Sequence, residues 1–202
     1  MQTLRGALAV ALGMLAFSTM APGEFVLPVA DVLTLEAVQS CPAGEPEPPQ
    51  DPATTSSIPA ADRFSAREHF REDVTAGSTV KIAWLGATFR QRFLSKTEDA
   101  PSPVTLRAFA VGRPVRTAEI VSDLGDRRET TLGELWCLLA AQPAGESGLL
   151  ITTAIPNLFF MRDDSGVLWT VDVLWGGAGW EIGASAIDRN IRWPDAVRVI
   201  TR

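Results

Sequence analysis

The C-terminal part of this chain carries the pattern that most restricts its fold, an alternation of apolar and polar residues with a period of two. Alternation with this period places successive side chains on opposite faces of a β-strand. Four runs show it, at residues 149–155, 158–162, 167–175 and 180–187. Short glycine-containing breaks at 163–166 and 176–179 separate the last three runs, and breaks of this composition are typical of β-hairpin turns. The pattern predicts a C-terminal antiparallel meander, and residues 197–201 are expected to add a strand at its edge.

A helix is predicted over residues 132–142. Thr131 and Glu134 have the spacing of a capping box, in which each side chain binds the backbone N–H of the other residue. Apolar side chains recur from Leu132 at the spacing of one helix face, and Pro143 follows the end of the pattern. Further local patterns predict helices at 63–74 and 87–95 and strands at 79–85 and 104–111.

These elements together predict an α+β fold in which the antiparallel β-meander packs against a few helices. The helices are expected to lie over one face of the sheet. A chain of 202 residues is long enough for one domain with a substantial core, so we expect a single compact domain at residues 63–202.

The N-terminus has the layout of a secretory signal peptide. Arg5 is the only charged residue before Glu24, and it precedes an apolar stretch at residues 7–17. At about 1.5 Å per residue this stretch is too short to span a bilayer core of about 30 Å as a helix. We expect residues 1–23 to be removed after export to the periplasm or the exterior, leaving a mature chain without a transmembrane span. Cleavage after Ser18, or an uncleaved buried helix in an intracellular protein, remains an alternative.

A proline-rich acidic stretch separates the N-terminal segment from the main domain. Residues 42–62 contain six of the fourteen prolines and four acidic side chains. Such a composition buries too little apolar surface to offset the entropy of ordering, so this stretch is predicted to be an extended linker. The apolar segment at 24–41 is predicted to dock on the domain as a strand or short helix.

The overall charge argues against nucleic acid as a partner. The chain carries a formal net charge of −6 and has a pI near 4.9. Neutralising phosphate groups requires an excess of cations, so nonspecific binding to nucleic acid or to anionic membranes is not expected.

Cys41 and Cys137 are expected to form a disulfide. Two cysteines in one exported chain usually pair, because the compartment is oxidising. Cys137 lies away from the apolar stripe of its predicted helix, beside Gly133, Ala140 and Ala141, and small side chains allow another segment to approach. The bond would tether the segment that ends at Cys41 to this helix. Two unrelated thiols, or a catalytic or metal-binding role, are the alternatives.

Asp172 is the most informative residue of the meander. It lies in the middle of a predicted strand, where a charge is costly unless it is solvated or paired. A half-open sheet face or an ion pair with Arg162 would account for it. A pocket is the other interpretation, and Asp172 with Glu181 is then the weak candidate for a catalytic carboxylate pair.

The tryptophans of the meander are predicted to be core residues. Trp169 and Trp175 share a strand face with valines, and Trp180 aligns with Ile182 in the same way. A stacking platform for sugars and a partner interface are the alternatives. Trp193 stands beside a proline in a predicted loop, so it is expected to be exposed and to contact a ligand or partner.

No cofactor or metal site is predicted. His69, the single histidine, lies in a charged stretch that is expected to be a solvated helix surface, and zinc sites need three or four protein ligands. The glycine-containing stretches at 145–148 and 176–183 lack the spacing of a nucleophile elbow or of a dinucleotide-binding loop.

Two functions remain compatible with the sequence. The first is a noncatalytic exported module that binds an envelope component, a protein or a small ligand. The second is an extracytoplasmic hydrolase that uses carboxylates as acid and base, since such pairs work without histidine.

Overall fold

The computed structural model describes residues 33–41, 63–99 and 102–202. The predicted signal peptide at 1–23, the predicted linker at 42–62 and the first part of the N-terminal segment lie outside the described residues.

Eleven strands and four α-helices occur in this part of the chain. The strands are β1 (Leu33–Cys41), β2 (Arg63–Ser65), β3 (Ile82–Leu85), β4 (Thr97–Asp99), β5 (Val104–Val111), β6 (Val115–Arg116), β7 (Asn157–Arg162), β8 (Leu168–Trp175), β9 (Trp180–Ala186), β10 (Arg192–Trp193) and β11 (Arg198–Thr201). The helices are α1 (Ala66–His69), α2 (Ala87–Phe93), α3 (Thr117–Leu124) and α4 (Leu132–Ala141). Two short 3-10 helices span Gly125–Arg128 and Ile187–Arg189.

Seven strands form the main sheet, in the order β1-β5-β11-β7-β8-β9-β3. The predicted meander is present as β7, β8 and β9, which are antiparallel neighbours joined by hairpins. Most other neighbours are also antiparallel, whereas β11 lies parallel to β7 and β3 lies parallel to β9. The protein therefore has the expected α+β fold.

The period-two pattern of the meander distributes apolar side chains to both faces of the sheet. On the first face, Phe159 and Val171 pack with Phe89 of α2 and Leu135 of α4. On the second face, Leu158 and Phe160 pack with Ile120 and Leu124 of α3. Helices therefore cover both faces, and the expectation that they lie over one face is wrong because α3 packs on the second face.

The capping box predicted for α4 is present. The Glu134 N–H donates to Thr131 Oγ1 at 3.2 Å, and the Thr131 N–H donates to Glu134 Oε2 at 2.9 Å. These bonds satisfy backbone donors that a helix N-terminus otherwise leaves free. The helix begins at Leu132, where the sequence placed it.

Three local predictions were wrong. The helix predicted at 63–74 is shortened to α1, because residues 63–65 pair with β4 instead. Residues 149–155 do not form a strand, since the Gln142 side chain takes the place of a partner strand: its Oε1 accepts from the Leu150 N–H at 2.8 Å and its Nε2 donates to the Leu150 carbonyl at 2.9 Å. The last strand, β11, lies between β5 and β7 rather than at the edge of the sheet.

The disulfide between Cys41 and Cys137 is present, with 6.0 Å between the two Cα atoms. It joins the end of β1 to α4, and β1 itself pairs along its length with β5. The described part of the N-terminal segment, Leu33–Cys41, is thus an edge strand of the main sheet. No helix in the described residues is long and apolar enough to cross a membrane.

Candidate functional site

Two of the residues selected from the sequence, Asp172 and Trp193, line one cleft on the second face of the sheet. Residues of β3, β8, β9 and β10 and of the start of α2 line the cleft, and its volume is about 360 Å³. We call it the Asp172 cleft. Its principal side chains are Trp84, Asp172, Ser185, Arg189, Ile191 and Trp193.

Two glycines make room for the side chains of the cleft. Gly183 pairs with Asp172 across β8 and β9, and a Cβ atom at position 183 would lie 2.6 Å from Asp172 Oδ2. In the same way, a Cβ atom at Gly86 would lie 2.9 Å from Cη2 of the Trp84 indole. The Asp172 carboxylate and the Trp84 indole therefore pack directly against glycine backbone, and both residues line the cleft.

Trp84 is the exposed aromatic residue of the cleft, with 49% of its surface accessible. A register shift between Ile82 and Trp84 brings it there. Ile82 pairs with Trp180 on the core face, whereas Trp84 pairs with Glu181 on the opposite face. Simple alternation along β3 would have buried Trp84 in the core with Ile82, so the period-two pattern gave no signal for this residue.

Trp193 corrects the expectation of an exposed side chain. Only 8% of its surface is accessible, and its Nε1 donates to Thr117 Oγ1 at 3.0 Å. It pairs in the small β6–β10 ribbon that covers part of the second face. Trp193 therefore forms a packed wall of the cleft.

Asp172 has no ion-pair partner among the described residues. It is half-buried, and burial raises the pKa of its carboxyl above the usual value, opposed by a hydrogen bond from its own backbone amide. The ion pair considered with Arg162 is absent, because Arg162 Nε donates to Glu129 Oε2 at 2.8 Å. The carboxylate is thus held at the cleft without a charge to neutralise it.

Two buried hydroxyl groups lie on the same sheet face as Asp172. Thr170 and Ser185 stand opposite each other on β8 and β9, with 0% and 7% of their surfaces accessible. Neither Thr170 Oγ1 nor Ser185 Oγ has a hydrogen-bond partner in the described part of the chain. A buried hydroxyl without a partner costs about 1–3 kcal/mol, so each of these two groups calls for a physical explanation.

Glu181 shares the sheet face of Asp172, as a catalytic pair would require. It pairs with Leu174, which is two residues after Asp172 on the same strand. Its carboxylate, however, lies toward the hairpin, where a Cβ atom at Gly176 would be 2.1 Å from Glu181 Oε1. Asp172 instead lies over Gly183, so the two carboxylates point to different parts of this face.

The other tryptophans of the meander pack on the core face, as expected. Trp180 is fully buried and its Nε1 donates to the Gln142 carbonyl at 3.0 Å. Trp169 is also buried and donates to Asp163 Oδ2 at 3.0 Å. Trp175 is half-buried and contacts the edge of Trp180. A stacking platform built from these three residues is therefore wrong.

His69 is half-buried in α1, so its ring is partly packed rather than fully solvated as expected. Its ring stacks on Phe64 with the ring centroids 4.2 Å apart, and its Nδ1 lies 2.9 Å from the Ser65 carbonyl oxygen. The neighbouring Glu72 pairs with Arg90 instead of approaching the imidazole. Within residues 33–41, 63–99 and 102–202, no three His, Cys, Asp or Glu side chains come together in a group that could hold a metal ion.

The chain was compared with known proteins at three levels. It matches no protein-family model, no curated protein and no solved structure.

Proposed function

We propose that this protein is an exported, noncatalytic binding module that holds a small ligand in the Asp172 cleft. The observation that carries the proposal is the combination of side chains in that cleft. An exposed indole at Trp84 lies beside an unpaired carboxylate at Asp172 and the unsatisfied hydroxyl of Ser185. Small-ligand sites typically combine an apolar surface with a few polar groups that fix orientation.

Export is supported by two independent features. The N-terminal sequence has the charge and hydropathy layout of a signal peptide at residues 1–23. The disulfide between Cys41 and Cys137 is of the kind that persists in oxidising compartments. A periplasmic or extracellular location accounts for both.

Intact mass spectrometry of the protein from its native host tests export. Thiols are alkylated with and without prior reduction. We expect a chain that begins near Glu24 and takes up two alkyl groups only after reduction. A chain that retains the first twenty residues, with two thiols that react without reductant, would contradict export.

Affinity selection tests binding. The purified disulfide-bonded protein is incubated with the small-molecule fraction of an envelope extract, and retained molecules are identified by mass spectrometry. We expect one or more molecules to be retained by the wild type and lost with Trp84→Ala and Asp172→Asn. Leu35→Ala is the matched control, because Leu35 is 51% exposed but lies on β1, at the opposite edge of the sheet. Retention that none of these variants changes would overturn the proposed site.

A hydrolase is the second candidate, and the shared sheet face of Asp172 and Glu181 is the observation that favours it. An acid and a base on one face can cleave a glycosidic bond if both reach it. Turnover of a retained ligand, abolished by both Asp172→Asn and Glu181→Gln, would replace the binding proposal with this one. Retention of the ligand unchanged in mass would support the binding module.

A further inference from the structure

The exposed face of Trp84 is a flat apolar surface that is held in place. Its indole lies against Gly86, where no side chain separates the ring from the backbone. Half of the residue surface stays accessible at the cleft. An aromatic ring in this setting is suited to contact a ligand that is itself flat and only partly polar.

The polar groups around Trp84 offer hydrogen bonds of both kinds. Asp172 provides carboxylate acceptors, Arg189 provides guanidinium donors, and the Ser185 hydroxyl can donate and accept. The Ser185 Oγ is buried and has no partner among the described residues, so rotation about its χ1 torsion is what would turn the hydroxyl toward a ligand in the cleft. A ligand that carries several hydroxyl groups can bind all three, because each of its hydroxyls is both a donor and an acceptor.

The charges of the cleft disfavour a strongly charged ligand. An ammonium group would stack well on Trp84 and approach Asp172, but Arg189 lines the same cleft. A phosphate or carboxylate ligand would meet the carboxylate of Asp172, which forms no ion pair with a described residue. A neutral ligand avoids both repulsions.

We infer that the ligand of the Asp172 cleft is a neutral saccharide, whose ring stacks on Trp84 and whose hydroxyl groups bind Asp172 and Ser185. This inference rests on the proposed binding function. The cleft volume of about 360 Å³ is at the lower end of the range of about 300–1,000 Å³ that is usual for small-ligand pockets, so it suits one or two sugar rings. Longer glycans would extend from the open side beside Trp84.

Calorimetric titration with defined sugars tests the inference. The probes are cellotriose, chitotriose, maltotriose and galactobiose, with tetramethylammonium and inorganic phosphate as charged comparators. We expect at least one sugar to bind saturably. Trp84→Ala should lower the affinity for that sugar about tenfold or more, which is the order of magnitude expected for loss of an aromatic contact.

Two further variants separate ligand contact from loss of structure. Ser185→Ala removes a hydroxyl without a described partner, so the thermal unfolding temperature should stay the same or rise slightly. The affinity for the sugar should fall. Leu35→Ala should change neither the affinity nor the fold. If Ser185→Ala and Trp84→Ala both keep full affinity, the assigned contacts are wrong.

The outcomes distinguish this inference from the function on which it rests. If tetramethylammonium or phosphate binds at the cleft and no sugar does, the saccharide assignment is overturned and the binding module stands. The same holds if an envelope molecule of another class is retained through Trp84 and Asp172. If neither the sugars nor any extract molecule depends on these residues, both proposals are wrong.

Discussion

Asp172 and Gly183 face each other across β8 and β9, and the Asp172 carboxylate fills the space that a side chain at position 183 would need. Gly183→Ala would place a Cβ atom 2.6 Å from Asp172 Oδ2, so the carboxylate must turn away. Because a short acidic side chain can move, we expect a stability loss of only about 1 kcal/mol but a large loss of ligand affinity. Calorimetric titration and urea unfolding measure the two effects.

A double-mutant cycle provides the control for this change. In an Asp172→Ala background the carboxylate is gone, so Gly183→Ala should have little further effect on binding or stability. Equal effects of Gly183→Ala in both backgrounds would show that the glycine is needed for another reason.

The Thr170 hydroxyl is predicted to reduce stability. It is fully buried and has no partner in the described residues, so the nearly isosteric Thr170→Val should raise the free energy of unfolding by about 1 kcal/mol. Thr117→Val is the matched control, because the Thr117 hydroxyl accepts from Trp193 and donates to the Ile191 carbonyl. This control should destabilise the protein. Urea unfolding that shows the same loss for both variants would mean that Thr170 has a partner.

Asp172 should make the folded protein less stable as pH rises. Burial raises the pKa of its carboxyl in the folded state. A carboxyl with a raised pKa favours the folded state most below its unfolded-state pKa, where it is protonated in both states. This contribution is lost as pH rises through the folded-state pKa. Asp172→Asn removes the effect, so the variant should gain stability relative to the wild type as pH rises above the usual Asp pKa of about 3.9. Urea unfolding at a series of pH values measures this difference.

Asp163 provides the opposite case as a control. Burial tends to raise the pKa of Asp163, but hydrogen bonds from the Val167 N–H and the Trp169 indole outweigh burial and lower the pKa overall. Asp163→Asn should therefore lose stability relative to the wild type as pH rises through the acidic range up to the usual Asp pKa of about 3.9, and the difference should stay constant at higher pH. If Asp172→Asn also loses stability as pH rises, the Asp172 carboxyl is not buried as described.

Removal of the disulfide should release the edge of the sheet. The bond closes a loop with a sequence separation of 96 residues, and the Cys41→Ser, Cys137→Ser double variant should be less stable by roughly 4 kcal/mol. Because β1 pairs only with β5 in the main sheet, amide hydrogen exchange should accelerate most along these two strands. Chemical reduction of the wild type should reproduce the pattern, whereas uniform acceleration throughout the domain would contradict it.

The local elements with strong sequence patterns were predictable. The capping box of Thr131 and Glu134 fixed the start of α4, and the hairpin breaks fixed the order of β7, β8 and β9. The same period identified Trp169 and Trp180 as core residues. Each of these features depends on interactions between residues close in the chain or on a simple division between buried and exposed faces.

The candidate site was predictable only in part. Asp172 stood out because a charge in an apolar strand needs an explanation, and it does line the cleft. Trp84 was missed because the register shift in β3 moves it to the face opposite Ile82. Trp193 was expected to be an exposed contact residue, and it does line the cleft, but it is buried because its indole donates to Thr117, which is far away in sequence.

The sequence by itself determined which segments become strands and helices in the meander and α4, and which two cysteines could pair, because periodicity, capping and composition act locally. Tertiary structure alone decided that β11 inserts between β5 and β7, that α3 covers the second face, and that Trp84, Asp172 and Ser185 meet in one cleft. These outcomes depend on strand register and on contacts between distant segments. A shift of one residue moves a side chain to the other face of a sheet, and no local pattern specifies that shift.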